Sequence, residues 1–322
     1  MNEALIPSVK PSAPPGTPGV YTNLASLIRL RYTLGDISLL PRQPVTSVLA
    51  GRHSSRLRGR GLNFEEIRRY FPGDDIRQID WKVTARTRVT HSRVYTEERG
   101  RDTLLVVDQR LGMFFGSKRN FKSVTAAEVA AVAAWRVIAA KDRISAIVFG
   151  DADLEMIRGG GKPDDVMRIL QSLVTRNQAL GIDRDIVPAP QMLDAALAKA
   201  ERLVTHDALV ILITDAAGNG PETSAILSRI AAHNDVALAF IHDPLEMELP
   251  DAGRKVFGSG EVQLEADTSA SSLQRDFKDS FQSRYEEARR FLIQREIPLL
   301  PIRTDLDITP QLRRLLGRTI RK

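Results

Sequence analysis

The sequence contains no cysteine, and this absence excludes several kinds of site. Disulfides, thiolate zinc ligands and cysteine nucleophiles are ruled out, and a chain without cysteine fits a reducing compartment. Only five histidines occur, and none is paired at a helical metal-ligand spacing, so a histidine metal site is not expected. A phosphate-loop motif and a Gly-x-Ser-x-Gly elbow are also missing, which argues against nucleotide hydrolysis by that route and against a serine hydrolase.

Long apolar runs are absent as well. A membrane-spanning helix needs roughly 18 apolar residues in a row, and the best candidate, residues 126–140, is interrupted by Glu128 and Arg136. Residues 1–20 are rich in proline, serine and glycine, with an early Glu3 and no apolar stretch of signal length. These features predict a disordered tail, no secretory signal and a cytoplasmic protein.

Positive charge is concentrated in the N-terminal third. Residues 1–101 hold 17 Lys and Arg against 9 Asp and Glu, whereas the remainder holds 29 against 31. Such a surface could bind nucleic acid, an anionic membrane face or an acidic protein. Because aromatic residues are not interleaved with the charges, a solvated loop or an acidic protein partner is favoured over nucleic acid. The basic patch consists of Arg52, Arg56, Arg58 and Arg60.

Apolar runs ending in aspartate alternate with helical patterns beyond residue 102. TLLVVD ends at Asp108, ALVILITD ends at Asp215 and DVALAFIHD ends at Asp243. Buried strands that alternate with helices predict a doubly wound, mainly parallel α/β sheet. The predicted regions are a Pro-rich tail at 1–20, a basic extension with short helix and β segments at 21–101, and an α/β domain at 102–322. Within the extension, we expect a helix at 23–34 and β segments at 44–49 and 89–97.

The most distinctive segment runs from Gly59 to Trp81, around a Pro72-Gly73 turn. It resembles neither a regular helix nor a regular strand. Carboxylates after a turn can cap a short helix and pair with arginines, so we predict a charge-paired clasp on a buried Trp81, with one face free to bind a partner. The clasp residues are Arg68, Tyr70, Asp74, Asp75, Arg77, Asp80, Trp81 and Arg86. Arg68, Arg77 and Arg86 are the candidate partners of the three aspartates.

The pattern Tyr-x-x-Gly-Asp-Asp…Arg-x-Ile-Asp-Trp, from Tyr70 to Trp81, resembles the bacterial domain-of-unknown-function family 58. Later matches at 233–236, 243–246 and 249–253 extend the resemblance over roughly residues 35–310. It implies a von Willebrand factor A-like, Rossmann-like domain. It also implies a partnership with a MoxR-type AAA+ ATPase in chaperone-like assembly or activation of other proteins.

Domains of that class often bind Mg²⁺ through Asp-x-Ser-x-Ser, a distant threonine and a later aspartate. By this resemblance Asp108 and Asp215 match the carboxylates, but Arg110 and Gly112 stand at the serine positions. Thr175 lies near the expected distance, although within a predicted helix. Because Mg²⁺ prefers six oxygen ligands, we predict a degenerate site with no metal and no other cofactor, Mg²⁺ being the less favoured alternative. Arg110 either bridges Asp108 and Asp215 in place of the ion or points to solvent.

The function favoured by these patterns is a non-enzymatic, protein-binding adaptor of a MoxR-type AAA+ ATPase and a client protein. Two alternatives remain open. One is a metal-assisted phosphoesterase that uses Asp108, Asp215 and Asp243. The other is nucleic-acid binding through Arg52 to Arg60, whose affinity would fall steeply with salt.

Overall fold

The computed structural model describes residues 17–33, 62–71, 74–97, 100–182, 184–247, 251, 253–259 and 262–316. The basic patch of Arg52, Arg56, Arg58 and Arg60, the β segment at 44–49 and nearly all of the tail lie outside these residues. The chain divides into two compact units. One comprises Met1–Gln43 and Arg101–Lys322, and the other comprises Pro44–Gly100.

The regular elements are numbered here in chain order. The helices are α1 (Leu24–Arg29), α2 (Trp81–Thr87), α3 (Lys122–Ala139), α4 (Pro163–Ala179), α5 (Met192–Leu203), α6 (Pro221–Ala231), α7 (Pro244–Met247), α8 (Ser271–Gln294) and α9 (Ile308–Leu316). The strands are β1 (Leu62–Arg69), β2 (His91–Glu97), β3 (Asp102–Asp108), β4 (Arg143–Phe149), β5 (Leu154–Ile157), β6 (Leu209–Thr214), β7 (Asp235–His242), β8 (Arg254–Ser259), β9 (Val262–Asp267) and β10 (Leu299–Arg303).

The larger unit is built on a six-stranded sheet of order β10-β7-β6-β3-β4-β5. Every pair is parallel except β4 with β5, where a short edge strand runs antiparallel. Strand β3 shows why both faces are covered: Leu105 and Val107 pack in one apolar cluster, while Leu104 and Val106 pack in another. Helices α1, α3, α4 and α9 contribute to the first cluster, and α5, α6 and α8 contribute to the second. The predicted doubly wound, mainly parallel α/β fold is confirmed.

Helix α1 belongs to this α/β unit and not to the extension in which the sequence placed it. Its Leu27 is fully buried in the first cluster, and the Leu27 carbonyl accepts a hydrogen bond from Trp135 Nε1 at 3.4 Å. The preceding Thr22 donates its backbone N–H to Asn177 Oδ1 at 2.8 Å. Apolar packing therefore joins residues 21–33 to a domain that begins some seventy positions later.

The smaller unit contains β1 and β2, which pair antiparallel with an irregularity between Phe64 and Glu66. The expectation that residues 59–81 hold no regular strand is wrong, because β1 occupies Leu62–Arg69. Trp81 is also misplaced by the prediction: it is 69% exposed. It is the first residue of the short helix α2, which is held by its cap and not by burial of its first side chain.

Within the part of the chain that the structure describes, no helix is both long enough and apolar enough to cross a membrane.

Helix α3 crosses beneath the sheet and is buried along nearly its whole length, yet it carries Glu128. The Glu128 carboxylate accepts a hydrogen bond from Asn120 Nδ2 at 3.1 Å. Burial raises the pKa of Glu128 to about 7, and the charge of Asp307 adds to that rise, while Arg119 and Asn120 oppose it. Between about pH 4.5 and about pH 7, Glu128 is therefore protonated in the folded chain and ionised in the unfolded chain.

Because the pKa of Glu128 is higher in the folded chain than in the unfolded chain, Glu128 should lower the free energy of unfolding as the pH rises from about 4.5 to about 7. Glu128→Gln should therefore raise the free energy of unfolding at pH 8 by about 1–3 kcal/mol. The difference should shrink at pH 4.5 and below. Urea unfolding at both pH values measures it, with Glu222→Gln on the exposed face of α6 as the matched control. A variant no more stable than the parent at pH 8 would refute the prediction.

Candidate functional site

The carboxyl ends of β3, β6 and β7 meet at one edge of the sheet, and each is followed or closed by an aspartate: Asp108, Asp215 and Asp243. Strands added after β3 go first to one side (β4 and β5) and then to the other (β6, β7 and β10). The winding thus reverses between β3 and β6. A crevice at the carboxyl ends of such strands is where open α/β sheets bind ligands.

The Arg110 guanidinium binds the Asp108 carboxylate through two of its nitrogens. Nε donates to Oδ1 at 3.0 Å and Nη2 donates to Oδ2 at 2.6 Å. Asp108 is fully buried, and its Oδ2 also accepts the Thr214 hydroxyl at 2.6 Å. Two further guanidinium N–H groups donate to backbone carbonyls, those of Pro190 at 3.0 Å and Ala217 at 2.9 Å. The alternative in which Arg110 points to solvent is wrong, since only 6% of its side chain is exposed.

Asp215 is held by a different cation. Arg110 makes no hydrogen bond to Asp215 among the described residues, so the predicted bridge between the two aspartates is formed only at Asp108. Instead Lys122 Nζ, at the first residue of α3, lies 2.6 Å from Asp215 Oδ2 and 2.7 Å from Glu246 Oε1. Four of the five guanidinium N–H groups of Arg110 bind Asp108 and the Pro190 and Ala217 carbonyls. Lysine, with its long stem, reaches the second carboxylate from the helix.

Both cations stay charged although they are buried. Burial acts to lower the pKa of Arg110, but the hydrogen bonds and charge of Asp108, with Asp215 behind it, outweigh burial and raise that pKa. Burial likewise acts to lower the pKa of Lys122, and Asp215 and Glu246 together raise it. For Asp108, burial is the largest influence and raises the pKa, while Arg110 and Thr214 favour the ionised carboxylate. The crevice thus contains two internal ion-pair sets.

Asp243 has its own partners. Its Oδ2 accepts the Ser117 N–H at 2.9 Å and the Thr304 hydroxyl, and its Oδ1 accepts the Leu245 N–H at 2.9 Å. Burial raises the pKa of Asp243, but these hydrogen bonds outweigh it, so the net pKa is lowered. The three strand-end aspartates proposed for a phosphoesterase therefore each bind a separate set of protein donors.

The residues present do not fit a Mg²⁺ ion. Gly112 supplies no side-chain oxygen, and Thr175 lies exposed within α4. The nitrogens of Arg110 and Lys122 contact the carboxylates that an ion would need, Asp108 and Asp215. No group of three or more His, Asp or Glu side chains in the described ranges is arranged to hold a metal ion. Octahedral oxygen coordination has no ligand set here.

In the smaller unit, the clasp aspartates act as caps and ion-pair partners. Arg68 Nη2 lies 2.8 Å from Asp74 Oδ1, as expected. Asp75 caps the short 3₁₀ turn at Ile76–Gln78 by accepting the backbone N–H of Arg77 at 3.0 Å. The backbone N–H of Tyr70 donates to Thr90 at 2.8 Å.

Asp80 caps α2 by accepting the backbone N–H groups of Lys82 and Val83, both at 3.0 Å. Its ionic partner is Arg93 on β2, at 2.9 Å, and not Arg77 or Arg86. The Val83 N–H and the Arg93 guanidinium lower the pKa of Asp80. Among the described residues neither Arg77 nor Arg86 enters an ion pair, so the pairing predicted from proximity in sequence holds only for Arg68 and Asp74.

Sequence reasoning missed Lys122, Glu246, Thr214 and Arg93. A lysine that opens a helix carries no motif, and a threonine inside an apolar strand reads as part of the strand. Glu246 did have a signal, since it lies in the stretch from Asp243 that resembles the family's later signature.

The comparisons with known proteins place the chain in a family. The model of the family described as "Protein of unknown function DUF58" matches residues 66–289. Uncharacterized proteins of Mycobacterium bovis and Mycobacterium tuberculosis are 30% identical over 281 residues, covering 87% of this chain and 86% of each relative. The protein, a doubly wound α/β chain with a cation-filled crevice, belongs to the DUF58 family.

Solved structures with broad similarity include BatB from Bacteroides thetaiotaomicron (TM-score 0.37, 13% identity, 66% of this chain and 94% of that one). An aerotolerance-related membrane protein from Bacteroides fragilis gives a TM-score of 0.41 at 13% identity, over 67% and 96% of the two chains. The SpRpn10 VWA domain gives 0.33 at 14% identity, over 69% and 99%. At these scores the likeness supports no conclusion about site or partners.

Removing Lys122 should leave two carboxylates without their cation. Lys122→Met keeps the apolar stem, and we expect it to lower the free energy of unfolding by roughly 3 kcal/mol, because a broken buried pair costs far more than an exposed one. The matched control is Arg229→Met, which removes the exposed ion pair with Glu201 and should cost under about 1 kcal/mol. Urea unfolding at pH 7 gives both values. Equal small losses for the two variants would show that Lys122 is not needed to hold the crevice.

Proposed function

We propose that this chain is a non-enzymatic protein-binding adaptor whose contact surface is the crevice at the carboxyl ends of β3 and β6. The observation that carries the proposal is the pair of internal cations. Arg110 and Lys122 satisfy Asp108 and Asp215, so the position that would otherwise be available for chemistry is filled by the protein itself. What is left at the surface is shape and residual charge, which serve recognition.

The loop after β6 gives that surface a fixed form. Ala217, Gly218 and Asn219 are exposed, and Gly218 adopts a left-handed backbone that glycine tolerates best. The Ala217 carbonyl accepts from Arg110, and the Ala217 N–H donates to Asp215 Oδ1 at 2.9 Å. The loop is tied to both aspartates through these bonds. A preorganised loop loses less conformational entropy on binding a partner.

The partner belongs to the same proposal. Membership of the DUF58 family and the resemblance described above support a MoxR-type AAA+ ATPase, with the chain acting in chaperone-like assembly or activation of a client protein. The proposal includes no bound cofactor. It also includes a cytoplasmic location, which the cysteine-free composition supports.

The test is association with a MoxR-type AAA+ ATPase from the same genome, measured by co-purification and by surface plasmon resonance with ATP and with ADP. Gly112 offers a sharp variant, since it lines the crevice and a Cβ built there meets no atom within 4 Å. Gly112→Trp should therefore fold normally, project an indole into the crevice, and weaken association at least about tenfold.

The matched control is Gly161→Trp. Gly161 also has room for a side chain, since a Cβ built there meets its nearest atom, the Asp142 carbonyl oxygen, at 3.7 Å. It lies at the amino end of β4, at the opposite edge of the sheet. Association of the parent chain that is lost in Gly112→Trp and kept in Gly161→Trp supports the proposal. No association in any nucleotide state would overturn the adaptor function, and equal binding by both variants would move the contact surface elsewhere.

A further inference from the structure

A cavity of about 270 Å³ lies next to Lys122 within the larger unit. Its lining combines two carboxylates, Asp215 and Glu246, with aromatic rings. The rings belong to Phe240 at the end of β7 and to Phe281 and Tyr285 on α8.

The three rings form a continuous aromatic wall. Phe281 and Tyr285 stack with centroids 6.2 Å apart and planes only 8° apart. Phe240 meets Tyr285 at 5.5 Å and Phe281 at 6.4 Å, in tilted arrangements. A ring face carries negative partial charge and attracts a cation that lies within about 6 Å of the ring centroid.

The charged wall has an excess of negative charge. Lys122 supplies one positive charge against the two carboxylates that bind it. It is also the least accessible of the three, with 4% of its side chain exposed against 8% for Asp215 and 25% for Glu246. Glu246 is therefore the most accessible charged side chain of the three.

The size of the cavity selects among occupants. Sites for small-molecule ligands usually enclose roughly 300–1,000 Å³, and this cavity is at the lower limit of that range. A single long side chain fits a volume of this size. Aromatic rings together with a net negative charge favour a cationic side chain with an apolar stem over an acidic or an aliphatic side chain.

We propose that this cavity receives a basic side chain, arginine above all, from the partner protein. The guanidinium packs on the Phe281 and Tyr285 rings and shares Glu246 with Lys122, and its stem lies along the apolar wall. This inference rests on the proposed adaptor function, because it names the chemistry by which the partner is recognised.

The test uses probes that need no ATPase. Nα-acetyl-arginine methylamide is titrated into the full chain and followed by NMR, beside its neutral isostere Nα-acetyl-citrulline methylamide and the acidic Nα-acetyl-glutamate methylamide. We expect the arginine probe to bind about tenfold more tightly than the citrulline probe. We expect the glutamate probe to bind no better than citrulline.

Two variants locate the binding. Tyr285→Leu removes a ring without touching the Lys122 ion pairs, and Glu246→Gln removes the accessible charge. Each should reduce the preference for arginine over citrulline at least about threefold. The controls are Tyr32→Leu, where the tyrosine is 80% exposed on the 3₁₀ turn after α1, and Glu222→Gln on α6. Thermal melting establishes that each variant is folded.

Equal binding of arginine and citrulline, tighter binding of glutamate, no binding of arginine at any accessible concentration, or an arginine preference unchanged in Tyr285→Leu would each overturn the inference. If these results occur while the ATPase still associates through the crevice, only the basic-side-chain cavity fails. If arginine binds here but no ATPase associates, the adaptor function fails and the cavity stands.

Discussion

The two-nitrogen contact of Arg110 with Asp108 is the interaction on which the rest of the crevice depends. It places a positive charge beside a fully buried carboxylate at the end of the central strand β3. The same guanidinium reaches the Pro190 and Ala217 carbonyls, so one side chain links β3, the segment before α5 and the loop after β6. Without that cation, the desolvated carboxylate would keep, among the described residues, only neutral donors, the Thr214 hydroxyl and a backbone N–H, and low-dielectric surroundings penalise a buried charge without an ionic partner strongly.

Lys122 likewise places a positive charge beside Asp215, the carboxylate that follows β6. A lysine at the start of α3 ties the Asp215 side chain to Glu246 on α7. A helix start that carries a cation is electrostatically unfavourable by itself, because the macrodipole is positive there. The two carboxylates offset this cost. The strand-end carboxylates Asp108 and Asp215 thus both bind cations that belong to the protein's own side chains.

The sequence predicts the sheet well, and the reason is physical. Buried parallel strands need continuous apolar runs, and β3, β6 and β7 have them, each closed by an aspartate. Arg110 was predictable as a partner of Asp108 because both lie at the end of β3, two residues apart. Lys122 was not, since its partner Asp215 is 93 residues away and only the winding of the sheet brings them together.

In the smaller unit, the sequence predicts the strands and the ion pairs less well. The run LNFEEIRR mixes charge and apolar residues without clean alternation, so β1 is set by its pairing with β2 and not by its own pattern. The same holds for the ion pairs: Asp74 binds Arg68 six residues away, whereas Asp80, at the start of α2, binds Arg93 on β2 instead of nearby Arg77. Local capping was readable from Asp75 and Asp80. Which arginine each carboxylate binds depends on strand register, which the sequence does not display.

Arg110 and Lys122 contact the two carboxylates that a metal ion would need, Asp108 and Asp215. Calorimetric titration of the purified chain with Mg²⁺ and with Mn²⁺ at neutral pH, beside the Asp108→Ala variant, tests the claim that these cations exclude the ion. The ion pairs of Arg110 and Lys122 predict no stoichiometric binding in either protein. Stoichiometric binding by the parent chain that Asp108→Ala abolishes would contradict the claim.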